Sequence, residues 1–439
     1  MSPDVQNNET TKEIKAAPKK SPRGLLIAVI VVVILVIIAG SVAYVELTKK
    51  PAAPAEIVIG TLYASTGGFA SSSVPEYDGL TLWANQVNSQ GGIYVSSLGE
   101  KLKVKIVSYD DSSDTGTATT LYNQLITVNK VNFLVSDFGS VLTAPAVPIA
   151  EEHHVLLFDV TGSSASFFNV SSPYIVLTSI PASQAYATYG APQLASLGIK
   201  KVAVAYAEND FTQPLSSVLI SGLATYGITP VYDQGFSTST TDFSSMITSI
   251  QATHPQAVVF YGYPTNDIPF LNGLESMGVH FNYTFTIFPG QLFTMMQSAV
   301  GANMTYTFTY AFPPLVTFPN INYGLSLAQL ESQWSSEFAS VPFGYLSIAG
   351  YNAGLVIQKG IETAGSLNAT AVRNAINSFS GSMTTVDGNF AVNLTTGMQT
   401  GEIPAIGQVV PTSSGGLTVN IVYPSSMATG TAIYPAPAP

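Results

Sequence analysis

The sequence predicts an α/β protein with two parallel sheets, each covered by helices, after one N-terminal membrane-spanning helix. Short β-branched runs alternate with longer segments in which apolar residues recur every three or four positions, as expected when strands and helices take turns. Such βαβ units build parallel sheets with helices on both faces. The 389 residues after residue 50 (439 minus 50) are enough for two domains.

The N-terminal apolar segment predicts a membrane anchor. Residues 24–45 are 22 positions without a charge, long enough to cross a bilayer core as one helix. Residues 1–23 contain five basic and three acidic side chains, which predicts a cytoplasmic tail and an extracellular location for the bulk of the chain. A cleaved signal peptide is the alternative, with Ser41-Val42-Ala43 as its cleavage site, although its apolar region usually has only roughly 7 to 15 residues. Arg23-Gly24-Leu25 also resembles the processing site of archaeal pilin-like signal sequences.

Two terminal segments flank the predicted domains. Residues 46–55 form a proline-rich linker, and residues 426–439 form an extended tail.

The composition of the chain excludes several classes of function. The part after residue 50 has 22 acidic (26 minus 4) and 8 basic (15 minus 7) side chains, and its net charge of −14 argues against nucleic acid as a partner. The absence of cysteine excludes disulfides, thiolate nucleophiles and a lipid-bearing cysteine. After residue 50, five Asn-X-Ser/Thr triplets are candidate glycosylation sites, at Asn169, Asn282, Asn303, Asn368 and Asn393.

The same alternation defines the individual elements. Strands are predicted at 57–62, 102–107, 133–135, 155–158, 202–206 and 257–261. Helices are predicted at 75–88, 117–128, 141–152, 184–197, 215–226, 243–253 and 267–277. After residue 310 the pattern predicts helices at 327–338, 346–363 and 369–379 and β-like segments at 389–394, 407–410 and 417–423.

Three successive strand ends carry clusters of hydroxyl groups and glycines. Ligands of open α/β sheets bind beyond the carboxyl ends of the strands, where hydroxyls and backbone amides at helix starts suit a carboxylate. The clusters lie at 64–69, which includes Ser65 and Thr66, at 136–140 and at 160–164. In the alternative interpretation, these residues only cap helices.

No catalytic motif is present in the sequence. The chain has no His-Glu-X-X-His, no Gly-X-Ser-X-Gly and no Gly-X4-Gly-Lys-Ser/Thr phosphate loop. We interpret His153 and His154 as a solvated pair at a helix end, and Asp110 and Asp111 as solvated loop carboxylates. The sequence therefore predicts no enzymatic activity, no cofactor and no metal.

These residues resemble the branched-chain amino-acid-binding proteins of ABC importers, which have the type I periplasmic binding fold. The resemblance covers roughly 56–423 and rests on the segments 60–68, 88–93, 109–111 and 242–247. It implies two Rossmann-like lobes with the ligand in the cleft between them. The lobes are joined by three crossovers near 178–181, 306–310 and 386–390, so that lobe 1 comprises 56–179 and 309–386 and lobe 2 comprises 180–308 and 387–425.

The resemblance also implies which residues contact the ligand. Hydroxyls and amides of the first lobe would hold its carboxylate, aromatic residues would come from the second lobe, and Phe69 would replace an aromatic lid. Gln291 lies where the family has an acid for the amino group, so an amide or small carboxylate is as well suited as an α-amino acid. The implied contacts beyond Ser65, Thr66, Phe69 and Gln291 are Gly139, Ser140, Thr161, Gly162, Ser163, Phe211 and Tyr263.

We therefore expect an extracellular, membrane-anchored solute-binding protein that captures a small polar ligand and docks on an ABC permease with its ATPase subunits. Two alternatives belong to other classes. A ligand-sensing receptor ectodomain would share the fold, but a cytoplasmic part of 23 residues is too short for an output domain. A structural cell-surface protein would not require hydroxyl loops at three strand ends.

Overall fold

The computed structural model describes residues 22–48 and 55–438, which fall into two units with the division after residue 54. In the first unit, helix α1 (Pro22–Thr48) has large apolar side chains at 26, 27 and 29–38 that are 49–66% exposed. None of the helices in the two described ranges qualifies as a membrane span. The membrane-spanning helix therefore stays a prediction. Most of the predicted cytoplasmic tail (1–21), most of the linker (49–54) and residue 439 lie outside the described residues.

The first sheet of the second unit contains six strands. They are β1 (Glu56–Tyr63), β2 (Ile93–Val95), β3 (Glu100–Asp110), β4 (Phe133–Val135), β5 (Leu156–Asp159) and β6 (Ile175–Leu177). Their order is β2-β3-β1-β4-β5-β6, and all neighbours are parallel except the antiparallel pair β2–β3. The side chains of β4, β5 and β6 are all buried, because helices cover both faces of a parallel sheet.

The second sheet contains seven strands. They are β7 (Val202–Ala207), β8 (Tyr232–Phe236), β9 (Ala257–Tyr261), β10 (Thr284–Phe285), β11 (Phe308–Ala311), β14 (Ala405–Pro411) and β15 (Leu417–Tyr423). The order is β15-β14-β11-β10-β9-β7-β8, and all neighbours are parallel except β14, which is antiparallel to both β11 and β15. A separate hairpin consists of β12 (Met383–Thr385) and β13 (Gly388–Phe390).

The helices cover both sheets. They are α2 (Ala70–Ser89), α3 (Thr115–Thr127), α4 (Gly139–Thr143), α5 (Ala146–His153), α6 (Ser183–Tyr186), α7 (Gly190–Ser196), α8 (Thr212–Thr225), α9 (Ser244–Ala252), α10 (Pro264–Ser276), α11 (Phe293–Val300), α12 (Leu327–Glu337), α13 (Tyr345–Ala364) and α14 (Ala369–Phe379). Local sequence explains some of their ends. For example, Asp114 caps α3 by accepting a hydrogen bond from Thr117 N at 2.7 Å.

Two predicted helices are interrupted in the structure. The segment 141–152 divides into α4 and α5 around Pro145, which has no N–H to continue the helical hydrogen bonds. The segment 184–197 divides into α6, a single 3₁₀ turn at Ala187–Tyr189, and α7. The sequence did not predict α11.

The strand order places two lobe boundaries later than predicted. Strand β11 pairs with β10 and β14 in the second sheet, so a boundary between 308 and 309 would cut this strand. Leu177 N donates to Gly397 O at 3.0 Å, which keeps the chain beside the first sheet well beyond the predicted crossover at 386–390. The chain rejoins the second sheet only at Ala405.

The C-terminal segment 426–438 packs on the second lobe. Ile433 N donates to Gln408 Oε1 at 2.8 Å, and Ala436 N donates to Asn282 O at 2.8 Å. Ala436 is buried by this contact. The predicted extended tail therefore contributes a buried side chain to this lobe.

Candidate functional site

A cavity, here called the inner cavity, lies between the two lobes beyond the carboxyl ends of their strands. It has about 260 Å³ of space between protein atoms, part of which is open to solvent. Such a position is the usual ligand site of open α/β sheets. The cavity is lined by Phe138, Gly139, Thr161, Ile180, Tyr186, Phe211, Tyr263, Phe288, Gln291 and Tyr345.

Thr161 organises the first-lobe wall of the inner cavity. Its Oγ1 accepts a hydrogen bond from Gly139 N at 2.9 Å and donates to Glu76 Oε2 at 2.6 Å. Gly139 has a φ of 73°, a left-handed conformation that favours glycine and turns the chain from β4 into α4. The loops after β4 and β5 are therefore held together by one buried hydroxyl group.

Aromatic side chains form most of the second-lobe wall. The Tyr263 ring lies 5.7 Å from Phe211 and 6.0 Å from Phe288, measured between ring centroids. Tyr186 packs edge-on against Phe211 at 5.5 Å. These rings give the cavity an apolar, well-packed wall.

The two lobes touch each other around the cavity. The edge of the Tyr263 ring contacts Phe69 of the first lobe at 5.1 Å between centroids. A Cβ atom placed on Gly139 would lie 3.3 Å from the Tyr263 hydroxyl, and one placed on Gly68 would lie 3.4 Å from Cγ2 of Thr265. The structure therefore shows the cleft closed.

Two polar atoms of the cavity wall are buried without a hydrogen-bond partner among the described residues, namely Tyr263 Oη and Gln291 Nε2. Gln291 is 5% exposed and Tyr263 is 1% exposed. Burial raises the pKa of the Tyr263 hydroxyl, and the nearby backbone amides of Val141 and Ser140 lower it only in part. A buried donor without a partner costs roughly 1–3 kcal/mol, so a ligand that pairs with these atoms would recover that energy.

Three buried carboxyl groups lie behind the first-lobe wall, on Glu76, Asp137 and Asp159. Each has one oxygen without a hydrogen-bond partner in the described part of the chain. Burial raises the pKa of all three groups, to about 8 for Asp159, and hydrogen bonds from Thr161, from Ser73 and from Gly162 N respectively offset this effect only in part. Burial thus favours the protonated, uncharged form of each group, and Asp159, with a pKa of about 8, is largely protonated at neutral pH. No group of acidic or histidine side chains within the described residues is arranged to hold a metal ion.

Five of the residues predicted to bind a ligand line the inner cavity: Gly139, Thr161, Phe211, Tyr263 and Gln291. Ser140 and Ser163 are buried beside it, and Ser140 Oγ accepts from Ser164 N at 3.1 Å. Gly162 N donates to Asp159 Oδ1 at 2.7 Å and so stabilises the loop from behind.

Ser65 and Thr66 lie outside the inner cavity. Ser65 N donates to Asp110 Oδ1 at 3.0 Å, and the Ser65 hydroxyl donates to the other carboxylate oxygen. Thr66 O accepts from Ser113 Oγ at 2.7 Å. This strand-end cluster therefore binds the neighbouring loop after β3 and caps none of the described helices, because its polar groups already have partners in the protein.

The sequence did not single out half of the cavity wall. Phe138, Ile180 and Phe288 follow strands, Tyr345 begins α13, and Tyr186 ends the short helix α6. The chain has 22 phenylalanines and 22 tyrosines, so an aromatic residue alone carries no signal for a site. Their positions after strand ends could have identified Phe138 and Phe288, which follow β4 and β10 by three residues.

Other polar residues also have defined positions. Asp111 is fully buried and accepts a hydrogen bond from Ser113 N at 2.9 Å, so its interpretation as a solvated carboxylate is wrong. His154 ends α5 in a left-handed conformation, with its ring 5.2 Å from that of Tyr174. All five candidate glycosylation asparagines are exposed, and their occupancy stays a prediction.

Comparison with known proteins gives one family and several structural relatives. The family described as periplasmic binding protein matches residues 56–407. An amino acid binding protein of Pseudomonas aeruginosa is 25% identical over 243 residues, which are 51% of this chain and 59% of that protein. The chain thus spans little more than half the length of that relative.

Two crystal structures illustrate the similarity of fold. The leucine-binding protein LivK from Thermotoga maritima has a TM-score of 0.70 at 17% identity, covering 83% of this chain and 97% of that one. An ABC transporter solute-binding protein from Rhodopseudomonas palustris in complex with 3,4-dihydroxybenzoic acid also has a TM-score of 0.70 at 17% identity, with coverages of 88% and 99%. Both structures share the two-lobe architecture.

Proposed function

This chain belongs to the type I periplasmic binding protein family, and on that premise we propose that it captures a small polar solute between its lobes for an ABC importer. The observation that carries the proposal is the inner cavity between the lobes with two unpaired polar atoms on its wall, on Tyr263 and Gln291. A structural surface protein has no need for such groups, since each lowers its stability. In agreement with this family, the chain is a binding protein and not an enzyme.

The cavity restricts the class of ligand. It has room for only a small compound, and its aromatic wall suits an apolar or flat body. No charged side chain stands among the residues that line it, so the recognised groups of the ligand are polar rather than strongly ionic. An amino acid, an amide and a small carboxylate are the three candidate classes, and the relatives named above bind an amino acid or an aromatic acid.

The proposed location is the outer surface of the membrane, with the chain anchored through residues 24–45 and docked on a permease whose ATPase subunits drive transport. The 22 uncharged residues of this segment and the exposed apolar side chains of α1 support the anchor. An anchor would hold the binding protein at a high local concentration beside its permease. Flotation of the full-length chain with liposomes, compared with a chain that begins at residue 55, tests this part separately.

A ligand screen tests the binding function. The full-length chain, in lipid nanodiscs so that no detergent enters the cleft, is titrated calorimetrically with branched-chain amino acids, benzoates and primary amides. We expect a dissociation constant in the micromolar range or below for at least one class. Gln291→Leu should raise the dissociation constant of that ligand roughly tenfold or more, since it removes a buried donor. Gln251→Leu, on the exposed face of α9, should leave the dissociation constant unchanged. Absence of binding in all three classes would overturn the proposal.

A further inference from the structure

A second cavity, here called the outer chamber, adjoins the inner cavity at the mouth of the cleft. It has about 1040 Å³ of space, part of which is open to solvent. Gln291 and Tyr345 line both the outer chamber and the inner cavity, so the two spaces meet at these side chains. The outer chamber is lined by Ala70, Ser71, Val74, Pro75, Gly290, Gln291, Leu292, Phe293, Thr294, Met295, Pro314, Leu315, Ser340, Val341, Pro342, Phe343, Gly344 and Tyr345.

The outer chamber is apolar and is built by both lobes. The start of α2 and the segment before α13 contribute from the first lobe, and the start of α11 contributes from the second. None of these described lining residues has a charged side chain. Val74, Phe293 and Phe343 are half-buried, so their apolar surface still faces solvent in this closed form. Covering that surface would stabilise a complex in proportion to the area removed from water.

Gln291 is held in place where the two spaces meet. Its backbone N donates to Phe288 O at 3.1 Å, and the preceding Gly290 N donates to Thr309 Oγ1 at 2.9 Å. A Cβ atom on Gly344 of the first lobe would lie 3.7 Å from Gln291 O. The backbone is thus fixed from both sides. Burial raises the pKa of the Tyr186 hydroxyl and the nearby side-chain amide of Gln291 lowers it in part, but this amide nitrogen makes no hydrogen bond of ordinary geometry among the described residues.

We propose that the ligand is an amide with an apolar chain, whose carbonyl oxygen accepts from Gln291 Nε2 and whose chain occupies the outer chamber. This inference rests on the proposed function and names its substrate class. A neutral amide has the acceptor that Gln291 requires and a donor for the hydroxyl of Tyr263. A carboxylate or an ammonium group would be desolvated without a countercharge among the described residues of either wall.

The proposal makes binding depend on chain length. Burying one methylene group is worth about 0.8 kcal/mol, which corresponds to roughly a fourfold change in dissociation constant. Hexanamide has four more methylene groups than acetamide. Its dissociation constant should therefore be roughly 200-fold lower if the outer chamber buries the whole chain.

The test is calorimetric titration of the full-length chain in nanodiscs with acetamide, butanamide and hexanamide. Ser71 is exposed at the start of α2 and lines the outer chamber, so Ser71→Trp should fill part of that space. The ratio of the acetamide and hexanamide dissociation constants should fall at least tenfold in this variant. Ser89→Trp, at the exposed far end of the same helix, is the matched control and should keep the wild-type ratio. The thermal midpoints of both variants verify that they are folded.

The outcomes separate the inference from the function that it assumes. A ratio near one in the wild type, or a steep ratio that Ser71→Trp leaves unchanged, would overturn the role of the outer chamber. Binding of an amino acid or a benzoate without binding of any amide would overturn the inference and leave solute capture intact. If no compound of the three classes binds, the proposed function fails together with the inference.

Discussion

Thr161 illustrates how single side chains define the site. Its hydroxyl is the only hydrogen-bonding group of the side chain. It accepts a hydrogen bond from Gly139 N of one loop and donates one to Glu76 of α2. The sequence predicted a role for Thr161 from its place after a strand. The partner Glu76 could not be predicted, because it lies 85 residues earlier in the chain, in the middle of a helix.

Thr161→Val should destabilise the protein by about 2 kcal/mol, because it leaves the amide of Gly139 and the carboxyl group of Glu76 buried without their partner. Urea denaturation followed by tryptophan fluorescence measures the effect. Thr161→Ser retains the hydroxyl group, so its free energy of unfolding should fall much less. Equal unfolding midpoints for the valine and serine variants would refute this role of Thr161.

The buried carboxyl groups of Asp159 and Asp387 should make the free energy of unfolding depend on pH. Burial raises the pKa of Asp159 and Asp387 to about 8, whereas an unfolded aspartate has a pKa of about 3.9. The folded pKa is the higher one, so the stability that these groups contribute is fully present below about pH 4 and is lost as the pH rises through about 8. The protein should be more stable in acid than at neutral pH.

Asp159→Asn should reduce this loss. The asparagine oxygen can still accept from Gly162 N and Ser136 Oγ, and the side chain imitates the protonated acid. We expect thermal midpoints equal to the wild type near pH 4.5 and higher than the wild type at pH 8, by an amount equivalent to about 1 kcal/mol or more. Asp233→Asn on the exposed side of β8 is the control and should follow the wild type. A wild-type protein with the same midpoint at both pH values would contradict the argument.

At the scale of elements, the contact between α2 and α13 fixes the first lobe. Three glycines lie along it, and a Cβ atom at any of them would overlap the other helix: Gly79 against the Ser347 carbonyl, Gly350 against the Glu76 carbonyl and Gly354 against the Trp83 ring. The helices can therefore approach at backbone distance. Because α2 includes Glu76 and the start of α13 includes Tyr345, this contact also positions the site.

Gly350→Ala should destabilise the protein by about 2 kcal/mol or more, since a backbone carbonyl cannot move aside as a flexible side chain can. Thermal unfolding and the affinity for the screened ligand measure the two consequences. Gly116→Ala, in the exposed first turn of α3, is the matched control. Its Cβ atom would lie 3.3 Å from Asp114 Oδ1, a side-chain atom that can shift, so the stability should change by less than about 1 kcal/mol. An unchanged thermal midpoint in Gly350→Ala would mean that the helices separate at little cost.

The long periodic elements were the ones that sequence predicted well. The helices at 327–338 and 369–379 differ from α12 and α14 by one residue at most, because apolar spacing and capping residues mark them clearly. Short strands such as β10, with two residues, have no pattern of their own and depend on pairing with distant segments. Two of the three lobe crossovers lie later than predicted for the same reason, since only the pairing of β11 and β14 shows which sheet these segments join.

At the scale of the whole molecule, the account requires that the lobes close around the ligand. The sequence indicated two lobes through its length and alternation, but it could not indicate the closed arrangement, which depends on contacts between residues far apart in the chain. Phe69 and Gly68 of the first lobe meet Tyr263 and Thr265 of the second at the edge of the inner cavity. Opening must separate these contacts before a solute can enter.

The absence of cysteine allows a direct test of this requirement. A Cβ atom on Gly68 would lie 3.4 Å from Cγ2 of Thr265, close enough for a disulfide between the lobes in a Gly68→Cys, Thr265→Cys double variant. The decisive measurement is calorimetric titration of this variant with the ligand from the screen, before and after reduction. We predict no binding in the oxidised form and wild-type binding after reduction, with the single Gly68→Cys variant unaffected by oxidation. Equal affinity of the oxidised and reduced double variant would show that the solute does not bind between the lobes.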